Sequence, residues 1–147
     1  MSRTLRDQLI QHEGIRLSPY RDTVGKLTIG VGRNLDDMGI TRDEALFLLD
    51  NDILRAQSAV IHALPWSTTL DRPRFEVLVN MAFNLGINGL LGFAKFLAAL
   101  QAGDYPTAAR EMLDSRWATQ VGQRALELAT IVDPSGNSGS GIGGKET

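Results

Sequence analysis

Cysteine is absent from the 147 residues, so no disulfide braces the fold and the chain is indifferent to the redox state of its compartment. No run of apolar residues approaches membrane-spanning length. The first fourteen residues carry Arg3, Arg6, Asp7 and Glu13, which excludes the uninterrupted apolar segment of a secretory signal. An excess of positive charge is also missing. A net charge of -2 argues against a protein that holds nucleic acid through a basic footprint. No nucleic acid, no membrane and no obligate second copy are therefore expected as partners, and the chain is read as a monomer. The charge that is present is uneven, with residues 1–33 net positive and residues 34–60 net negative. An anionic polymer would be met best by the first third, and the acidic stretch reads as a solvated helix face.

The length suffices for one domain with a core that needs no staples. Leu5, Leu9 and Ile10 recur at helical spacing, and Gly14 suits the position just beyond a helix end, which predicts a short helix ending at about Glu13. The period then changes to two, as Leu27, Ile29 and Val31 alternate with Thr28, Gly30 and Gly32. Asp22-Thr23-Val24-Gly25 has the composition of a type I turn, so a hairpin is predicted from about Arg16 to Val31. Thr41-Arg42-Asp43-Glu44 is a capping box. Ala45, Leu48, Leu49, Ile53 and Ala56 continue from it as an apolar stripe to about Val60. Pro73 opens a further helix that Gly86 closes, and helices are predicted over 92–102, 106–113 and 122–132. The expected fold class is α+β and predominantly α-helical: a small lobe of about 14–40 with a short antiparallel sheet, a connecting helix of about 41–60, and a helical lobe of about 61–134 that includes the N-terminal helix. The Gly/Ser-rich stretch 135–147 is expected to be a flexible tail outside the domain 1–134.

Glu13, Asp22 and Thr28 stand where a helix end, a turn and a strand face one another. Cleavage of a glycosidic bond needs one protonated carboxyl and one ionised one. The negative end of the helix dipole, with partial burial, would suit Glu13 to hold a proton. Asp22 at the mouth of a turn can accept backbone N–H groups and stay ionised. Thr28 lies on the strand face opposite Leu27 and Ile29, so its hydroxyl is expected to point away from the small lobe's core and toward a cleft. From spacing alone, a surface glutamate, a turn aspartate and an ordinary strand threonine are the usual readings of such residues.

The run from Glu13 through Asp22 and Thr28 to Ile29-Gly30-Val31-Gly32 resembles the signature of the phage-type lysozymes, glycoside hydrolase family twenty-four, the T-even phage endolysin type. The resemblance continues through Ile40 to Ala45, Val79 to Gly86 and Ser115-Arg116-Trp117. It implies a two-lobed fold and hydrolysis of the β-1,4 bond between N-acetylmuramic acid and N-acetylglucosamine in the glycan strands of bacterial peptidoglycan. Matched residue by residue, Glu13 takes the place of the general acid, Asp22 that of the carboxylate beside the attacking water, and Thr28 that of the water's hydroxyl partner. Expected substrate-binding positions are Asn80, Asn84, Arg124 and Gly32. Arg124 matches a family arginine that pairs with the catalytic glutamate, and Trp117 a core anchor. No cofactor and no metal are expected, since His12 and His62 lack partner spacing. The resemblance also implies synthesis in a host bacterial cytoplasm and action on the wall after holin-type release.

Three features depart from the family pattern. Arg33 stands where a histidine is usual and is expected to pair with Asp52, the segment Asn34–Gly39 is short, and Gln120–Arg124 lacks a proline. Two other readings are carried: a lytic transglycosylase, which needs an acid but no water, and a non-catalytic glycan-binding module of a phage structural protein. Intact Asp22 and Thr28 favour hydrolysis over the first, and the intact triad speaks against the second.

Overall fold

The computed structural model describes residues 2–136. Thr4 caps the first helix, α1 (Leu5–Glu13): its hydroxyl accepts the Asp7 amide while the Asp7 carboxylate accepts the Thr4 amide. Gly14 ends the helix as expected, its N–H donating to the Ile10 carbonyl. Strands β1 (Arg16–Arg21), β2 (Leu27–Gly30) and β3 (Arg33–Asn34) follow as an antiparallel sheet in the order β1-β2-β3. Pro19 sits in β1, an edge strand, where its missing N–H interrupts no central ladder. The register slips between Arg16 and Tyr20 in that same stretch. The third strand extends the predicted hairpin, and a one-turn helix, α2 (Leu35–Met38), capped by the Asn34 side chain, fills the short connection.

Helix α3 (Arg42–Ala63) starts on the predicted capping box. The Thr41 hydroxyl accepts the Glu44 amide, and the Glu44 carboxylate accepts the Thr41 amide. A 3₁₀ turn (Pro65–Thr69) leads into α4 (Arg72–Leu91), which carries Pro73 in its first turn and breaks at Gly86, where φ is +78°. A glycine is the residue that adopts this backbone conformation without Cβ strain, so the predicted stop is present as a kink. Then come α5 (Ala94–Gln101), α6 (Tyr105–Leu113), α7 (Arg116–Val121) and α8 (Gln123–Val132). The α+β, mostly helical class is thus the one observed.

By its contacts the chain forms two units that divide inside α3, Met1–Leu49 and the remainder from Asp50 on. The first holds α1, the sheet, α2 and the start of α3. In this unit the described residues include no buried hydrophobic side chain, and Thr28 is its one buried residue. The apolar stripe read for α3 is accordingly exposed in its first half, with Leu48 at 52%, and is buried at Val60. Fewer than fifty residues, many of them in turns, cannot cover both a sheet face and a helix face. The second unit carries the core: α5 packs on α6, and α4 and α6 both pack on α8. Leu78, Met81, Leu90, Phe96, Leu100 and Met112 are its largest fully buried members. Arg74 ties the start of α4 to the end of α8, donating to the Val132 carbonyl at 2.8 Å while its guanidinium stacks 3.5 Å from the Tyr105 ring centre. The expected tail lies outside the described residues from position 137 on.

Candidate active site

Asp22 begins the turn after β1. Its Oδ1 accepts the amides of Val24 at 3.0 Å and Lys26 at 2.8 Å, and its own N–H donates to the Lys26 carbonyl at 2.9 Å. Oδ2 accepts from none of the described residues. Thr28, in the middle strand between Tyr20 and Asn34, donates its hydroxyl to that same Lys26 carbonyl at 2.9 Å. The peptide groups of one residue therefore hold both side chains. Lys26 is itself anchored, with Nζ 3.0 Å from Asp37; that hydrogen bond raises its pKa and keeps the cation on Asp37. The Leu27 amide donates to Asp36 at 2.8 Å, so α2 supports the strand that carries Thr28.

The burial of β2 differs from the expectation. Strand alternation does separate Thr28 from Leu27 and Ile29, but Thr28 is the covered residue, 3% exposed, while its apolar neighbours are half-buried. A period of two tells which residues share a face, and the neighbours decide which face is covered. The Thr28 hydroxyl keeps its two lone pairs as acceptors because its hydrogen is committed to Lys26.

Glu13 is the last residue of α1 and is exposed, which replaces the partial burial expected of it. Its carboxyl end lies against the backbone of Gly32 in the turn between β2 and β3. Arg33 does not pair with Asp52. Its guanidinium grips Glu44 two-pronged, at 2.8 and 2.5 Å, and donates to the Gly39 carbonyl at 3.0 Å. Asp52 pairs with Arg55 instead. The short α2 brings β3 beside the first turn of α3, within reach of the capping glutamate. Arg33, then the Thr41 amide, hold the Glu44 carboxyl at about 2.

The remaining predicted positions lie in the second unit. Arg124 donates through Nε to the Asn80 side-chain oxygen at 2.9 Å and through Nη2 to the Asn80 carbonyl at 3.3 Å. Asn84 accepts the Trp117 indole N–H at 2.7 Å, leaving its amide hydrogens for other acceptors. Trp117 is buried and meets Phe93 edge to face, the geometry of a core anchor. Phe96 is buried in the core, whereas Phe83 is 46% exposed, on the open side of α4 between Asn80 and Asn84. Sequence reasoning missed Lys26, whose part is played by its backbone, and Glu44, whose capping role concealed its second partner. Among the described residues no His, Asp or Glu cluster is arranged to hold a metal, and no single helix is long and apolar enough to cross a membrane.

Residues 10–131, which contain Glu13, Asp22, Thr28 and the second-unit positions, match the phage lysozyme family. The chain belongs to that family. It is 30% identical over 88% of its length to the pre-baseplate central spike protein Gp5 of Enterobacteria phage T4, of which the match spans 27%. It is 27% identical to probable T4-type lysozyme 1 of Dictyostelium discoideum, covering 90% of this chain and 95% of that one. To the SAR-endolysin of Escherichia phage Mu it is 32% identical, covering 81% of this chain and 68% of the other. As a member of the phage lysozyme family the chain is a lysozyme-type hydrolase of peptidoglycan.

Proposed function

We propose that the chain cleaves the β-1,4 bond between N-acetylmuramic acid and N-acetylglucosamine by a single displacement. Glu13 gives its proton to the bridging oxygen as the bond to the muramic acid C1 breaks. A water attacks that carbon from the opposite face and passes a proton to Asp22. The observation that carries this reading is the Lys26 link, which holds an unpartnered Asp22 oxygen and an acceptor-only Thr28 hydroxyl on one rigid piece of backbone. A water donating one hydrogen to each would have its lone pair left for the carbon. Transglycosylation, in which the sugar's own hydroxyl attacks, has no use for this pair. The likeness to the spike protein favours a second setting for the same chemistry, a lysozyme domain carried within a phage structural protein.

Glu13→Gln tests the acid. The amide is isosteric but cannot deliver a proton, and loss of general acid catalysis is typically about 10²- to 10⁴-fold. Because Glu13 is exposed at a helix end, the variant should melt like the parent while releasing no new reducing ends from cell walls. Parental activity would remove Glu13 from its role.

A further inference from the structure

Gly30 ends β2 and Gly32 lies in the turn between β2 and β3, and both have a positive φ, +71° and +70°. Their surroundings differ. A Cβ added at Gly30 would meet nothing within 4 Å. One added at Gly32 would stand 2.9 Å from Glu13 Oε1, 3.1 Å from its Cδ and 3.2 Å from its Cγ. Only a residue without a side chain leaves the Glu13 carboxyl where it lies. The sequence places Gly32 among the sugar-binding positions, and the nearest atoms to a Cβ built there are those of Glu13.

We propose that Gly32 is a positioning residue whose bare backbone is the seat of the Glu13 carboxyl, so that it acts on the reaction through Glu13 and not through the sugar. This rests on Glu13 being the acid. A methyl at Gly32 would have to push Oε1 outward by about half an ångström to restore an ordinary contact of 3.4 Å. The glutamate is exposed and flexible, so the push costs the fold little and is borne by the geometry of proton delivery. Misplacement of a catalytic group by about 1 Å is worth about 10²-fold in rate, so half of that corresponds to roughly tenfold.

Gly30→Ala is the matched control, because it brings the same positive-φ strain without the collision. Melting temperatures and steady-state kinetics on a soluble murein fragment would be measured for Gly30→Ala, Gly32→Ala and Glu13→Gln. The expected result is similar melting temperatures for the two alanine variants, with kcat at least about tenfold lower in Gly32→Ala than in Gly30→Ala and KM unchanged, the signature of an interaction that serves the transition state alone. Equal kcat values in the two alanine variants would overturn the proposal, as would a raised KM with kcat kept, which marks a lost sugar contact. An active Glu13→Gln would instead bring down the acid assignment itself, and the seat's purpose with it. If Gly32→Ala does not fold while Gly30→Ala does, the double variant Glu13→Ala/Gly32→Ala should fold again, and its failure to do so would likewise defeat the proposal.

Discussion

Asn84 has two readings, a sugar ligand and a partner of Trp117, and a double-mutant cycle separates them. Trp117 is 5% exposed and its indole N–H donates to Asn84 at 2.7 Å. Asn84→Ala leaves that donor without its partner, a loss of about 1 to 3 kcal/mol for a fully buried group. Asn84 itself is exposed, so water can approach the vacated position, and the lower end applies, about 1 kcal/mol. Trp117→Phe removes the donor, and the area lost against Phe93 is the same in both arms of the cycle and cancels. Urea denaturation of the two single variants and the double should therefore give a coupling of about 1 kcal/mol. Additivity within about 0.3 kcal/mol would show that the hydrogen bond contributes nothing to the fold and refute this reasoning. Lysis of walls by Asn84→Ala, measured well below its melting temperature, then reports any separate service to the sugar.

Glu44 titrates at about 2, below its ordinary 4.5, so the stability it contributes is complete above about 4.5 and is lost as the pH falls through about 2. Glu44→Gln should lower the neutral melting temperature and flatten the melting profile across that acid window, and an unchanged slope there would contradict the Arg33–Glu44 assignment. Leu78→Ala, at a fully buried position of α4, should cost about 2 to 5 kcal/mol in chemical denaturation, and a cost below about 1 kcal/mol would mean that the second-unit core is not packed as described.

The parts that were legible in the sequence are those whose signals are local. Thr41 and Glu44 announce the start of α3, Gly14 the end of α1 and Gly86 the break in α4, because a cap or a positive φ depends on a few neighbouring residues. Elements of one or two turns, α2, α7 and the 3₁₀ turn, are too short to show a period. The partner of Arg33 was misread because several acidic residues line α3, and the turn of the chain through α2 selects Glu44 from among them. For Thr28 the sequence shows the face on which the side chain lies; what covers that face depends on distant residues. Glu13, Asp22 and Thr28 stand out through the motif they share, while the Lys26 peptide that joins Asp22 to Thr28 has no side-chain signature to read.

In the proposed mechanism a water held by Asp22 and Thr28 attacks opposite the bond that Glu13 protonates. Proton NMR of the first turnover on a soluble murein fragment, recorded before mutarotation, reads the configuration at the freed muramic acid C1. A single displacement predicts the α anomer, inverted from the β linkage, with the two carboxyl groups about 6.5 to 9.5 Å apart. Initial release of the β anomer, the outcome of a covalent intermediate on Asp22, or of a 1,6-anhydro sugar, would contradict it.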